Sequence, residues 1–326
     1  RFERTMRMLS LRQKLFGSLS TPALQGGRVA LRAIALSLAV GGSAWASDVY
    51  ADPVPGDGPA LYAVRDADTT LYLYGTFHLL PPGTRWETEA FHAAMAETGH
   101  TFVEADVLSP PAQQELSAAV ARLGMNPPGV TLSSILGPDR TANLESVLVS
   151  YGVPLEALEP MQPWLAILSL TAMVYGQAGL DPSAGIEPQV LARASAEGDS
   201  IGYLETATYQ IEVLAGLDEA LLLDSFDLGL EGLTDIQQQV LDGVEAWRTG
   251  DVQQLDEILV AEVRETSPEL NDAVFTTRNE NWADQIEDML ARNQDAFIAV
   301  GAGHLYGPGS VIDILVDRDV QVERVQ

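Results

Sequence analysis

Two short segments of this chain share a design that suits metal binding or proton transfer. Each is an apolar run followed by Gly-x-x-His: Leu71–Tyr74 before Gly75 and His78, and Ala296–Val300 before Gly301 and His304. An apolar run of this length predicts a buried strand, and a glycine at its end lets the backbone turn sharply or approach another group. A histidine held just beyond such a strand is well placed to bind a metal ion or to move a proton.

The elements that must hold these two motifs can be read from the hydrophobic pattern of the chain. Strand patterns occur near both ends, at residues 61–64, 69–74, 101–107, 296–300 and 320–325, with one short candidate at 200–204. Between about residues 128 and 292 the pattern is almost entirely helical. The simplest fold is an α/β domain whose mixed sheet joins N- and C-terminal strands, with a large helical insertion between them. Open α/β sheets place their sites at the carboxyl ends of strands, so both motifs are expected at one edge.

The first 46 residues have the features of a secretory signal peptide. They contain seven of the 18 basic residues and a single acid, Glu3, and an apolar run at residues 33–40 precedes small residues. We expect cleavage after Ala46, then a linker at residues 47–59 and a single domain at residues 60–326. An uncleaved N-terminal anchor is the alternative. The signal peptide predicts an exported protein, periplasmic or secreted, with no stable membrane span after cleavage.

The charge and cysteine content of the remaining chain exclude several classes of partner and site. From Ser47 onward there are 11 basic and 45 acidic residues, a net charge of −34, and the one lysine of the chain lies before it. Such a surface repels nucleic acid and anionic membranes, and salty surroundings are a second explanation for it. The chain has no cysteine, which excludes disulfides, thiolate metal sites and a cysteine nucleophile. Any metal ion must be bound by His, Asp, Glu or water.

Seven motifs of this chain resemble, in order, those of the TraB/GumN family, which includes the animal Tiki proteins. They are Gly75–Pro81 with the first histidine, Phe102–Glu104, Gln162–Trp164, Gly185–Glu187, Leu204–Thr206 with Gln210, Arg278–Asn279 with Trp282, and Gly301–Leu305 with the second histidine. Together they cover about residues 60–325. The resemblance implies an α/β fold similar to the erythromycin-esterase and ChaN-like proteins. The Tiki branch implies metal-dependent proteolysis by the two histidines and a glutamate.

From this resemblance, His78 and His304 are the expected metal ligands, and Glu104 is expected to be a ligand or the general base. A divalent ion, whether manganese, cobalt or zinc, lowers the pKa of its bound water. A nearby carboxylate can then take the proton and return it to a leaving amine. The opposing interpretation is that both histidines are packed strand-end residues that donate hydrogen bonds to backbone carbonyls.

Four further residues have both a functional and a structural interpretation. Arg278 is a candidate catalytic residue that binds a substrate carboxylate or polarises a carbonyl, or else it forms a structural ion pair. Glu187 and Glu205 are interpreted as capping or ion-pairing residues, with support of the site or substrate contact as the alternative. Tyr306 follows the second motif and either lines the pocket or packs in its loop. The other two histidines, His92 and His100, lie outside any motif and are predicted to be surface or structural residues.

The function predicted from these observations is an exported, divalent-metal-dependent hydrolase, most simply a peptidase, acting on a peptide or small-molecule substrate. A non-catalytic binding protein for haem, a peptide or a glycan is the alternative from another class. A hydrolase of esters or lactones is the third possibility, and it is suggested by the fold relatives. The oligomeric state and the role of the helical insertion are left open by the sequence.

Overall fold

The computed structural model describes residues 58–233 and 236–326, which form one mixed six-stranded sheet and the helices around it. The predicted signal peptide, and all but the last two residues of the predicted linker, lie outside the described residues. The predicted fold class, a mixed sheet joining N- and C-terminal strands with a large helical insertion, is confirmed.

The sheet has the strand order β4-β3-β5-β2-β1-β6. The strands are β1 (Leu61–Arg65), β2 (Thr70–Thr76), β3 (His100–Val103), β4 (Ser200–Tyr203), β5 (Ala296–Gly301) and β6 (Gln321–Arg324). The pairs β2/β5, β5/β3 and β3/β4 are parallel, whereas β1 pairs antiparallel with β2 and β6. The two central strands, β2 and β5, are apolar on both faces because both faces are covered, and β5 is buried along its whole length.

Most of the remaining described chain is helical. The helices are α1 (Glu89–Glu97), α2 (Pro110–Leu123), α3 (Leu132–Tyr151), α4 (Pro163–Gln177), α5 (Ile186–Glu197), α6 (Ala207–Ala215), α7 (Glu219–Gly232), α8 (Ile236–Arg248), α9 (Val252–Leu259), α10 (Ala261–Thr266), α11 (Pro268–Asn271), α12 (Thr277–Ala291) and α13 (Val311–Asp317). A π-helical turn, Asp272–Thr276, joins α11 to α12. No helix in the described ranges is long and apolar enough to cross a membrane.

An aromatic cluster fixes the first histidine motif to the helical insertion. The ring of Tyr74 on β2 lies against Trp86, Phe91, Phe297 and Trp247, with ring centroids 5.3 to 6.4 Å apart. The indole N–H of Trp247, on α8, donates a hydrogen bond of 2.7 Å to the carbonyl of the motif glycine that follows Tyr74. Rings of this size bury a large apolar area, so the end of β2 has little freedom to move.

Candidate functional site

The pairing of β2 with β5 brings the two histidine motifs to the same edge of the sheet. The strands are parallel, and their register aligns Gly75 with Val300 and Thr76 with Gly301. The chain therefore leaves both strands at the same level, and the histidines follow within three residues. This is the juxtaposition that was expected from the rule that strand carboxyl ends form sites.

His78 has one occupied ring nitrogen and one free one. Its Nδ1 lies 2.7 Å from Oε1 of Glu187, the second residue of α5. The same carboxylate accepts a hydrogen bond from the hydroxyl of Thr76. Nε2 of His78 is buried and has no hydrogen-bond partner among the described residues. Because the carboxylate holds the proton on Nδ1, the lone pair of Nε2 is available to a metal ion or a proton.

Close backbone packing places Glu187 beside this histidine. The N–H of Ile186 donates to the carbonyl of Phe77 at 3.0 Å, which joins the start of α5 to the end of the first motif. A Cβ on Gly185 would lie 2.2 Å from the carbonyl oxygen of His78. Only glycine allows this approach, which explains the glycine–apolar–acid sequence at the start of α5.

The pKa values of His78 and Glu187 move in opposite directions. Burial lowers the pKa of His78, but the carboxylates of Glu187 and Glu104 together raise it by more, so the net direction is upward. Burial raises the pKa of Glu187, but His78 and the hydroxyl of Thr76 lower it further, so the net direction is downward. Both net shifts reflect the attraction between the two side chains when both are charged.

His304 lies in a different environment from His78, although their motifs are alike. Its Nδ1 lies 2.6 Å from Oδ1 of Asn279, and its Nε2 lies 3.0 Å from Nη1 of Arg278. A guanidinium can only donate, so Nε2 is the acceptor and the proton is on Nδ1. The ring is packed between Phe275 and Trp282, with centroids 5.0 and 4.5 Å away. Burial, the charge of Arg278 and His78 hold the pKa of His304 well below its ordinary value.

Arg278 connects the second histidine to two carboxylates. Nε and Nη2 donate to Glu205, Nη2 also donates to Oε2 of Glu104, and Nη1 donates to the Val274 carbonyl and to His304. Its guanidinium also lies over the ring of Trp282, 4.9 Å from the centroid. All three nitrogens are engaged and the side chain is 4% exposed, so these contacts fit the structural interpretation of Arg278.

Glu104 is a buried carboxylate with hydrogen bonds to both oxygens. Oε1 accepts the N–H of Gly301 at 2.7 Å, and Oε2 accepts from Gln210 and from Arg278, each at 3.0 Å. Burial raises the pKa of Glu104, and the positive charge of Arg278 offsets only part of this effect. A carboxyl with a raised pKa can hold and release a proton nearer to neutral pH than an exposed glutamate.

The reactive atoms converge on one point beside the second motif glycine. A Cβ built on Gly301 would lie 2.9 Å from Oε1 of Glu104, 3.6 Å from Nε2 of His78 and 3.7 Å from Cδ2 of His304. A small cavity lined by His78, Glu104, Glu187 and Gln210 opens beside these atoms. The glycine therefore keeps clear a space into which an unpaired imidazole nitrogen and a carboxylate oxygen both face.

These donors fit a divalent ion only in part. His78 supplies an orphaned nitrogen backed by a carboxylate, and Glu104 supplies an oxygen at the same point. Imidazole and carboxylate are ordinary ligands of such ions. His304 has hydrogen bonds on both nitrogens, so it has no free donor atom in this arrangement. No group of three or more His, Asp or Glu residues in the described part of the chain has the geometry of a metal site.

The charges around this point do not balance. Three carboxylates, those of Glu104, Glu187 and Glu205, are each no more than 11% exposed, and Arg278 is the cation that pairs with two of them. His304 is held neutral by its contacts. With all three carboxylates ionised, the buried group has an excess of two negative charges when His78 is neutral and of one when His78 is protonated. Unbalanced buried charge is costly, so the site attracts protons or a cation.

The structure brings together His78, Glu104, Arg278 and His304, the four candidate site residues predicted from the sequence. Both motif glycines lie there too. A Cβ added to Gly75 would contact the hydroxyl of Tyr306, and a Cβ added to Gly301 would contact the carboxylate of Glu104. Asn279 and Gln210 fix His304 and Glu104, and neither is among the candidate site residues. Their places within the family motifs are the signal in the sequence that points to them.

The two histidines outside the motifs lie away from this point. Nε2 of His92 contacts Glu87, and Nδ1 of His100 lies 3.2 Å from the carbonyl of Asp295. Tyr306 packs against the ring of Tyr62, with centroids 6.3 Å apart, which fits its interpretation as a loop-packing residue.

The model of the TraB/PrgY/gumN family matches residues 60–324, which include every residue of the site. No curated protein and no solved structure matches the chain.

Proposed function

This chain belongs to the TraB/PrgY/gumN family, and we propose that it is a divalent-metal-dependent hydrolase, most simply a peptidase. The observation that carries the proposal is the buried Nε2 of His78, which has no partner among the described residues and lies beside Oε1 of Glu104, in a group where acidic side chains outnumber basic ones. One divalent cation bound by His78 and Glu104 would use that nitrogen and offset the excess of carboxylates. The raised pKa values of both residues are consistent with this, because protons occupy the same site when no cation does.

The residues of the chain have distinct roles in this proposal. The ion, when bound, supplies Lewis-acid polarisation of a substrate carbonyl and a more acidic water. Glu187 keeps the proton of His78 on Nδ1 and so directs Nε2 to the ion. Arg278 and Gln210 fix Oε2 of Glu104, and the N–H of Gly301 fixes Oε1. His304 supports this arrangement indirectly, because it accepts a hydrogen bond from Arg278.

Metal content of the purified protein tests the proposal directly. We expect about one divalent ion per chain after loading with manganese, cobalt or zinc, with release of protons on binding. His78→Ala should lose the ion and retain the fold, whereas His92→Ala, at a histidine away from the site, should keep it. A stoichiometric ion retained in His78→Ala would contradict the assignment.

The role of Glu104 is decided by one substitution in the same assay. If Glu104 is a ligand, Glu104→Gln should lose the ion together with turnover. If it is the general base, the variant should keep the ion and lose turnover by about 10²–10⁴-fold. Cleavage of a peptide library that is abolished by a chelator and restored by the metal would establish the peptidase activity itself.

Two other functions give different results in these experiments. A non-catalytic binding protein for haem, a peptide or a glycan would show saturable affinity without any product. An ester or lactone hydrolase would turn over a small ester but no peptide. Export is part of the proposal as well, and an N-terminal sequence beginning at Ser47 in the mature protein would support it.

A further inference from the structure

A second, larger cavity adjoins the small one at the site. It has a volume of about 320 Å³ and lies between α2, α4 and α6. Its walls are mainly apolar, and the contributing side chains include Leu116, Val120, Trp164, Leu168, Ala172 and Ile211. None of the described residues that line it carries a charge. A cavity of this composition and size accommodates an apolar group and disfavours a charged one.

Three residues line both cavities, namely Val107, Pro182 and Gln210. The apolar cavity therefore lies directly beside the space near His78 and Glu104. A substrate whose carbonyl lies at that space has its neighbouring group at the entrance of the apolar cavity. The mouth is formed by α4, where Ala172 and Gly176 are small and exposed.

Gln210 supplies one oriented acceptor at the junction of the two cavities. Its Nε2 donates to Oε2 of Glu104 at 3.0 Å and to Oε1 of Glu205 at 2.8 Å. Both N–H groups are therefore used, and a flipped amide would place its oxygen against two carboxylates. The oxygen Oε1 is buried and has no partner within the described structure. A buried acceptor without a partner is unfavourable, so a donor is expected to approach it.

Resting on the proposed function, we infer that the substrate is an amide in which an apolar side group and an adjacent N–H flank the reacting carbonyl. The apolar cavity holds the side group, and Oε1 of Gln210 accepts the N–H. An ester has an oxygen where the amide has its N–H, so it would leave the acceptor without a partner. The arrangement therefore selects amides over esters and large apolar side groups over small or charged ones.

Binding of uncleaved small compounds to the mature protein tests this inference without relying on turnover. N-acetyl-phenylalanine N-methylamide should bind at least tenfold more tightly than the corresponding glycine and aspartate compounds. The phenylalanine compound has two N–H groups, and each is replaced by oxygen in a separate compound. One of the two replacements should weaken binding about tenfold. Titration calorimetry or ligand-observed NMR gives these ratios.

Two substitutions assign the effects to the proposed residues. Ala172→Phe should fill the mouth and abolish the preference for phenylalanine over glycine, whereas Ala142→Phe, at an exposed alanine of α3 outside the cavity, should retain it. Gln210→Met should abolish the discrimination between amide and ester, whatever its effect on absolute affinity. A loss of packing alone would weaken both ligands equally and leave the ratio unchanged.

The outcomes separate this inference from the proposed function. Side-group and N–H preferences without any hydrolysis would retain the binding site and overturn the hydrolase. Hydrolysis of glycine and phenylalanine amides and of their esters at equal efficiency would retain the hydrolase and overturn this inference. No saturable binding of the phenylalanine compound at millimolar concentration would also overturn the inference.

Discussion

The two Gly-x-x-His motifs end in histidines whose hydrogen-bonding states are opposite. Nε2 of His78 has no hydrogen-bond partner in the part of the chain that the structure describes, whereas both nitrogens of His304 are occupied by Asn279 and Arg278. The sequence predicted the pair and its approximate location from apolar runs and glycines. It did not predict this difference, because the partners that create it are 25 and 26 residues away from His304 along the chain. Periodicity shows which elements form, but it does not show which polar atoms face each other.

The pH dependence of activity should report the contact between His78 and Glu187. The carboxylate raises the pKa of His78, and only neutral His78 offers Nε2. Glu187→Gln should therefore move the acidic limb of the pH–activity profile to lower pH. It should also reduce kcat/KM by about 10–100-fold, because the ring loses its orientation. Steady-state rates from pH 4 to 9 measure both effects, within the range over which the protein stays folded.

Stability should change with pH in the same variant. Because the pKa of His78 is higher in the folded than in the unfolded protein, its protonation stabilises the fold. This stabilisation is complete at pH values below the unfolded-state pKa and is lost as the pH rises through the folded-state pKa. Glu187→Gln removes this contribution. The variant should thus be destabilised more at pH 6 than at pH 9. Glu115→Gln, at an exposed position of α2, serves as control.

In the activity measurement, an unchanged acidic limb in Glu187→Gln would show that His78 does not titrate in the active enzyme.

The space beside Gly301 can be closed by a single methyl group. Gly301 has ordinary backbone angles, φ −50° and ψ 134°, so alanine is tolerated by the backbone. The added Cβ would lie 2.9 Å from Oε1 of Glu104, and the carboxylate would have to move away. We expect Gly301→Ala to lose about 10²-fold in activity, with a small change in unfolding free energy. Gly99→Ala is the matched control, because no described atom lies within 4 Å of a Cβ added to Gly99. Full activity in Gly301→Ala would contradict the role of this space.

At the scale of elements, the central part of the fold follows closely from the sequence. Ser109 and the prolines after it predict a helix over residues 110–123, which agrees with α2, and the hydroxyl of Ser109 accepts the N–H of Ala112. The apolar period over residues 206–223 predicts one helix, which is wrong, because the structure divides this segment into α6 and α7. Asp218 caps α7 by accepting the N–H of Leu221, and this local contact outweighs the continuous apolar period.

The start of α5 is the element that couples the fold to the site. Gly185 lies so close to His78 that a Cβ would clash with a backbone oxygen, which cannot move away as a side chain can. Gly185→Ala should therefore shift the start of α5 and lower the unfolding free energy by about 1–3 kcal/mol. Because Glu187 moves with the helix, activity should fall as well.

Chemical denaturation and initial rates together check the Gly185 prediction. Gly99→Ala is a suitable comparison, since Gly99 is exposed and no described atom lies within 4 Å of a Cβ added there. It should change the unfolding free energy by no more than about 0.5 kcal/mol and leave the initial rates unchanged. If Gly185→Ala were as stable and as active as the parent, the close packing of α5 on the first motif would not matter for function.

At the scale of the whole molecule, acidic residues greatly outnumber their possible partners. The chain has 46 acidic and 18 basic residues. In the described part most arginines form ion pairs, among them Arg65, Arg140, Arg193, Arg264, Arg278 and Arg318. Many carboxylates on the surface are consequently left to repel one another. Self-repulsion of this kind keeps a protein in solution but destabilises its compact state.

Added salt should therefore raise the stability of this protein, because it screens the repulsion between surface carboxylates more than it weakens the ion pairs. At low ionic strength the Debye length is about 30 Å, whereas at 1 M it is about 3 Å, so added salt screens the repulsion between surface carboxylates. The exposed ion pairs lose little in return, since each contributes about 0–1 kcal/mol. We expect the thermal unfolding midpoint to rise by several degrees between 10 mM and 1 M sodium chloride, as followed by circular dichroism. A midpoint that falls with salt would show that the arginine pairs dominate the surface electrostatics, and that the acidic surface alone does not limit stability.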